Sequence, residues 1–208
     1  MSDAQLLLFV VTSLVVILTP GQDMILVMSR SIAQGSAAGI VTAAGVSTGL
    51  LGHTLLAGLG LGSLLLASET LFVVLKLVGA SYLVYLGIRL LRFRPASLEL
   101  AGLRAAPLRR LFAQGALSNL SNPKIAIFYF AFLPQFISAD TAHPTLMLLM
   151  LGAIFSLLTF LVKGPVGYFA GALSAWLRER PRVLVGMHRT SGAVLVALGL
   201  RLAFERRG

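Results

Sequence analysis

Long apolar segments separated by short polar ones make up most of this chain. The pattern predicts six helical spans, at roughly 4–28, 37–66, 71–91, 111–137, 145–175 and 183–204. An α-helix needs about 20 apolar residues to cross a bilayer, and these segments reach that length. None of them alternates apolar and polar residues with the period of two that is typical of a strand. We therefore predict an all-α membrane protein in which residues 1–208 form a single transmembrane domain.

The six predicted spans fall into two halves, about 1–91 and about 111–208, joined by a basic linker at about 92–110. Residues 83–90 (LVYLGIRL) resemble residues 195–202 (LVALGLRL), and each segment lies near the end of its half. Because each half has an odd number of spans, a duplicated half inserts into the membrane upside down. We expect an inverted repeat of two three-helix halves. Chance similarity between helices rich in Leu, Val and Gly is the alternative.

Prolines interrupt the first and fourth spans at similar positions in the two halves. A proline removes one backbone donor and frees a carbonyl one turn earlier. At membrane depth such groups persist only where protein or a water-filled cavity satisfies them. Matching breaks in two halves therefore point to the binding site of a transporter. The candidate substrate-binding residues lie at these breaks: Thr19, Pro20, Gly21, Asp23, Asn119, Asn122, Pro123 and Lys124.

The polar side chains at the breaks suggest individual roles. A carboxylate at mid-bilayer costs at least ~2.5 kcal/mol, so we expect Asp23 to bind a substrate ammonium group or to carry a proton. A helix cap near the interface is the alternative for Asp23. The amides of Asn119 and Asn122 pair with freed backbone groups or donate to a carboxylate. Lys124 attracts the substrate carboxylate, unless the Asn-Pro sequence is only a structural kink and Lys124 extends to the interface.

Three further ionisable residues lie inside the spans. Lys76 begins a face of small residues, so we expect it to point into the bundle and to pair with Asp23, with extension to the interface as the alternative. A histidine side chain can exchange a proton at physiological pH, so His53 suits a proton relay, although a lone histidine in an apolar helix is more often a packing residue. Lys163, in a Lys-Gly-Pro sequence, marks a third helix break or an interfacial anchor.

Small residues recur four positions apart, which permits close contact between helices. We expect these glycines to pack inside the bundle, and a contact between copies in a homo-oligomer is the alternative. The pairs are Gly35 and Gly39, Gly45 and Gly49, and Gly167 and Gly171.

Composition agrees with a membrane protein, since 57% of the residues are hydrophobic and only 12% are charged. A soluble domain averages about 25% charged residues. The net charge of +10 comes from arginines between the apolar segments, so we assign them to topology and to contact with anionic lipids, and not to nucleic acid. Most basic residues lie in the first, third and fifth loops, which predicts that these loops are cytoplasmic and that both termini are periplasmic.

The first apolar segment superficially resembles a signal peptide, but no Lys or Arg precedes it. We therefore interpret it as an uncleaved first span. The chain has no cysteine, P-loop, His/Cys metal cluster or nucleophile motif. We expect no enzymatic activity, no cofactor and no metal site.

Five segments together resemble the signature of the LysE/RhtB family of amino-acid exporters. They are residues 18–24 (LTPGQDM), 30–35 (RSIAQG), 76–83 (KLVGASYL), 119–124 (NLSNPK) and 132–136 (FLPQF). The resemblance covers nearly the whole chain and implies a bacterial inner-membrane exporter that uses the proton gradient. The family often has a second proline after the glycine of the first segment, where this chain has Gln22.

The expected function is secondary active export of neutral amino acids or close derivatives, such as threonine, homoserine or leucine, by proton antiport. Asp23, His53 and Lys76 are the candidate proton-coupling or buried charged groups. The expected partners are the amino acid, protons and membrane lipids. An exporter of another small solute, or a membrane scaffold or enzyme without transport activity, is the alternative.

Overall fold

The computed structural model describes residues 3–61, 69–92, 105–137 and 141–204. These residues form helices and connecting turns with no strand among them, so the predicted all-α class is confirmed. The helices are α1 (Asp3–Leu18), α2 (Gln22–Gln34), α3 (Ser36–Leu56), α4 (Glu69–Leu91), α5 (Leu108–Leu120), α6 (Pro123–Ile127), α7 (Pro144–Tyr168), α8 (Ala170–Glu179) and α9 (Pro181–Phe204). A π-helical turn, Ala57–Leu61, prolongs α3. Another, Phe128–Phe132, prolongs α6 and leads into the 3₁₀ turn Leu133–Phe136.

Two helices in the described ranges are long and apolar enough to cross a membrane, at Ser36–Leu59 and Pro144–Tyr168. The pair Gln5–Leu18 and Gln22–Gln34 is bent by 55° at its break and adds a third span if the pair is counted as one. Length and composition of these helices therefore establish fewer spans than the six predicted. The end of the second predicted span and most of the basic linker, residues 93–104, lie outside the described residues.

The two helix breaks predicted at the prolines are confirmed. α1 ends at Leu18 and α2 begins at Gln22, so Pro20 and Gly21 lie between helices. α5 ends at Leu120 and α6 begins after Asn122. The Asn122 side chain accepts a hydrogen bond of 3.1 Å from the backbone N–H of Lys124, which is the usual way to cap a helix N-terminus.

A third break, predicted at the Lys-Gly-Pro sequence, is wrong. α7 continues through Lys163 and Pro165 and ends only at Tyr168. Pro165 removes a single donor from the last turn, and the turn after it still closes, since the N–H of Phe169 donates to the Pro165 carbonyl at 2.9 Å. The loss of one bond near a helix end is not enough to break the helix.

Small residues let α3 pack closely against both α5 and α7. Gly45 lies against the backbone carbonyl of Phe112, and Gly115 lies against that of Thr42, so neither glycine has room for a Cβ atom. On the α7 side, a Cβ atom on Gly39 would meet the carbonyl oxygen of Gly167 at 2.5 Å. The predicted packing within the bundle is thus confirmed for Gly39, Gly45, Gly49 and Gly167, whereas a Cβ atom at Gly35 or Gly171 would meet no atom within 4 Å. The contact of Gly39 with Gly167 places α7 beside α3.

Buried aromatic rings connect α1 and α7 with the two turns that follow α6. Phe128 stacks on Phe155 with 4.7 Å between ring centroids, and Phe9 contacts the edge of Phe136 at 5.2 Å. Tyr129, which is fully buried, packs edge-on against Phe155. This buried aromatic cluster adjoins the segments that carry the candidate site.

Candidate functional site

The two helix breaks meet at the carboxylate of Asp23. From the first turn of α2, its Oδ2 accepts hydrogen bonds from the amides of Asn119, at 2.9 Å, and Asn122, at 3.1 Å. Its Oδ1 accepts one from the hydroxyl of Ser118, at 3.2 Å. Asp23 is only 3% exposed. The structure therefore brings together three of the residues predicted from the sequence, Asp23, Asn119 and Asn122, and adds Ser118.

The cation beside Asp23 is Lys163 of α7. Its ammonium group lies 3.4 Å from Asp23 Oδ2, and the two side chains are 6% and 3% exposed. The partner of Asp23 is therefore Lys163 and not the predicted Lys76, and Lys163 is a buried ion-pair partner and not the predicted helix break or interfacial anchor. Lys76 lies on α4, which packs mainly against α9, whereas α7 passes directly beside α2.

Lys124 caps the end of α1. Its ammonium group donates to the backbone carbonyls of Val16, at 3.1 Å, and Thr19, at 3.4 Å. The Val16 carbonyl would bond to the N–H of residue 20 in a continuous helix, and Pro20 has none. A cation at the C-terminal end of a helix is also favoured by the helix dipole. Lys124, predicted to attract a substrate carboxylate, is thus occupied with the backbone freed by the first break.

Gln22 performs the reciprocal task at the second break. Its amide donates to the Ser118 carbonyl at 2.8 Å, near the C-terminal end of α5, and lies 3.1 Å from the Ser118 hydroxyl. Each broken helix is therefore capped by a residue that follows the proline of the other. Gln22 occupies the position where the family pattern often has a second proline, so this bond depends on the residue in which the chain departs from that pattern.

The remaining residues predicted at the breaks make no side-chain contact with Asp23 among the described hydrogen bonds, and they shape the backbone of the two breaks. The hydroxyl of Thr19 donates to the Val15 carbonyl at 2.6 Å, within α1. Pro20 and Gly21 are half-buried, and Pro123 is exposed. Gly21 is extended, and a Cβ atom there would meet only ordinary contacts, the nearest being Lys124 Nζ at 3.6 Å.

His53 of α3 lies behind the amide of Asn119. Its Nε2 is 3.1 Å from the Asn119 backbone carbonyl, and its ring packs 5.6 Å from that of Tyr129. Nδ1 of His53 is buried and has no hydrogen-bond partner. Tyr129 is held in place by the hydroxyl of Thr54, which donates to its oxygen at 3.1 Å. One residue, Asn119, thus lies between the imidazole of His53 and the Asp23 carboxylate.

An open groove of about 610 Å³ runs between α2 and α5. Ser118 lines this groove and also donates a hydrogen bond to Asp23, so a single side chain lies between the groove and the buried carboxylate. Arg30 lies two turns along α2 from Asp23 and is 8% exposed. The groove is lined by Gln22, Ile25, Leu26, Ser29, Arg30, Gln114, Leu117, Ser118 and Ser121.

Comparison with known proteins decides the family. The model of the LysE type translocator family matches residues 14–206. The chain belongs to this family. The motif-based assignment is confirmed, and the protein is a membrane translocator.

Relatives of this LysE-type translocator include proteins that are named for efflux. The homoserine/homoserine lactone efflux protein of Salmonella typhimurium is 34% identical over 95% of each chain. An uncharacterized membrane protein of Pseudomonas aeruginosa is 36% identical over 90% of this chain and 89% of its own. The leucine efflux protein of Salmonella typhimurium is 28% identical over 73% of this chain and 72% of its own. No solved structure matches this chain.

The capping role of Lys124 in this LysE-type translocator gives a stability prediction. Replacing Lys124 by Met leaves two carbonyls at the end of α1 without their donor, which should cost about 2 kcal/mol of stability. Thermal unfolding of the purified protein measures this loss. Arg110→Met is the matched control, because Arg110 is an exposed cation at the start of α5. Equal unfolding temperatures for the two variants would contradict the capping role.

Proposed function

We propose that this LysE-type translocator exports neutral amino acids or close derivatives from the cytoplasm, with protons moving in the opposite direction. The observation that carries the proposal is the buried Asp23 carboxylate at the junction of two broken helices. An ionised group in this position is costly and is typically retained for a substrate or ion pathway. Half-helices that meet near the middle of the membrane are a recurrent design for binding small solutes in transporters.

The substrate class follows from the chemistry of the junction together with the relatives. A carboxylate can hold the ammonium group of an amino acid, and the amides of Asn119 and Asn122 can bond to polar groups beside it. Two relatives are named for the efflux of homoserine, its lactone or leucine, all of which carry an amino group and no charged side chain. Threonine, homoserine and leucine are therefore the first substrates to test.

The groove between α2 and α5 supplies the entry route in this proposal. Arg30 lies at the first loop, which the distribution of basic residues places on the cytoplasmic side. A solute from the cytoplasm would pass along the groove to Ser118 and would reach Asp23 once the Gln22–Ser118 bond opens. Proton exchange at Asp23, with His53 behind Asn119 as the second group, would couple this movement to the gradient.

The contact between α4 and α9 supports the inverted-repeat part of the proposal. Residues 79–90 and 191–202 have the same succession of buried, half-buried and exposed positions, residue for residue. A Cβ atom on Gly87 would lie 2.7 Å from the carbonyl oxygen of Gly192, and one on Gly199 would lie 2.8 Å from that of Ala80. Each contact becomes the other when the two segments are exchanged, as in a two-fold interface. Two halves with three spans each fit this symmetry, and an even number of spans puts both termini on the same side, which we propose to be the periplasmic side of a bacterial inner membrane.

An efflux assay tests the proposed function. Cells that express the protein and are loaded with labelled threonine, homoserine or leucine should lose at least one label faster than control cells. A protonophore should remove the difference. If no amino acid is exported but the cells resist dyes or metal salts, the protein is an exporter of another small solute. If neither effect occurs, a scaffold or enzyme role replaces transport.

A further inference from the structure

The Asp23 carboxylate has no room for an additional donor. Its Oδ2 accepts from the amides of Asn119 and Asn122 and from the ammonium of Lys163, and its Oδ1 accepts from the hydroxyl of Ser118. Oδ2 thus accepts from three donors, one more than its two lone pairs, and the Asp23 side chain is only 3% exposed. A substrate ammonium group can therefore reach Asp23 only by displacing one of these four donors.

Lys163 is the donor that can leave. Asn122 caps α6, Asn119 lies in the last turn of α5, and Ser118 is bonded to Gln22, so each of these three is held at the breaks. Lys163 comes from a different helix, ends a flexible four-carbon chain and makes the longest of the four contacts, at 3.4 Å. It is also an ammonium group, like the group that would replace it.

A displaced Lys163 needs a new anionic partner. It is 5% exposed, and an unpaired cation in such a place is strongly unfavourable. The amino acid itself carries the required group, since its carboxylate lies two bonds from its ammonium nitrogen. Lys124 cannot easily take this carboxylate, because its ammonium bonds to the carbonyls of Val16 and Thr19.

We propose that the substrate inserts into the Asp23–Lys163 ion pair, with its ammonium group on Asp23 and its carboxylate on Lys163. This proposal rests on the function proposed above and makes it more specific. One buried ion pair becomes two, and no charge is left without a partner. The site then prefers zwitterionic α-amino acids over derivatives that lack the carboxylate. A ligand without a carboxylate, such as an amide or a lactone, displaces Lys163 and leaves it unpaired.

Competition in proteoliposomes tests the insertion. Uptake of labelled leucine or homoserine into vesicles loaded with the same amino acid reports exchange. In the wild-type protein, leucinamide should compete on the order of 30-fold more weakly than leucine, and homoserine lactone correspondingly more weakly than homoserine. Equal competition by acid and amide in the wild-type protein would overturn the insertion, whatever the variants do.

Variants of Lys163 separate recognition from structure. Lys163→Met should remove most of the preference for leucine over leucinamide, whereas Lys163→Arg, which keeps the charge, should retain it. Lys76→Met, on α4, is the control and should leave the preference unchanged. A Lys163→Met protein that binds both ligands more weakly by the same factor would assign Lys163 a structural role and overturn the proposal. Failure of the wild-type protein to exchange any amino acid would instead contradict the proposed function.

Discussion

Replacing Asp23 by Asn should reduce amino-acid efflux on the order of 100-fold. The carboxylate accepts bonds from three neutral donors and one cation, and an asparagine places an NH₂ group among the same donors. The ammonium of Lys163 would then be buried without an anion. Both the binding of a substrate ammonium group and the pairing of Lys163 depend on the charge that is removed.

Efflux of the labelled amino acid, normalised to the amount of protein in the membrane, measures this effect. Asp3→Asn is the matched control, because Asp3 is an exposed carboxylate at the start of α1 and its loss should not alter efflux. The double variant Asp23→Asn with Lys163→Met removes both buried charges and should restore thermal stability without restoring transport. Wild-type efflux in Asp23→Asn would exclude Asp23 from the mechanism.

A side chain at Gly45 should largely prevent folding. A Cβ atom there would overlap the backbone carbonyl of Phe112, and a Cβ atom on Gly115 would overlap that of Thr42. Backbone atoms cannot rotate away as a side chain can, so α3 and α5 would have to separate. Overpacking typically costs about 1–3 kcal/mol and sometimes more. We expect Gly45→Ala to lose at least about 3 kcal/mol, a large share of the roughly 5–15 kcal/mol available to a typical protein.

Size-exclusion chromatography of a fluorescent fusion, followed by thermal unfolding, measures the loss of folded Gly45→Ala protein. Gly171→Ala is the control, since no atom lies within 4 Å of a Cβ atom at Gly171. The two substitutions add the same methyl group, and they differ only in the atoms that surround it. If both variants elute and unfold like the wild-type protein, the close packing of α3 on α5 does not determine stability.

The local features of the site could be predicted from the sequence because their causes are local. A proline removes its own backbone donor wherever it stands, so Pro20 and Pro123 locate the breaks. The polar residues beside each break, including Asp23 and Asn122, are the natural partners of the exposed backbone and of one another. Family resemblance and structure agree on this part of the molecule.

The partners that come from distant helices could not be predicted. Lys163 reaches Asp23 because the contact of Gly39 with Gly167 sets α7 beside α3, and no local pattern encodes that arrangement. The same limit explains the choice of Lys76, whose helix packs elsewhere. The break predicted at Pro165 is wrong for the opposite reason. The prediction applied a local rule, but the loss of one hydrogen bond near the end of α7 does not break the helix.

The crossed caps have a mechanical consequence. Lys124 holds the end of α1, and Gln22 holds the end of α5. The angle at either helix break cannot change without lengthening a hydrogen bond to the other half of the chain. We therefore expect the angles at the two breaks to change together. A conformation in which only one break has changed its angle loses a capping hydrogen bond and forms no new one. The two halves of the protein should therefore change conformation together. Replacing Lys124 or Gln22 should remove this coupling.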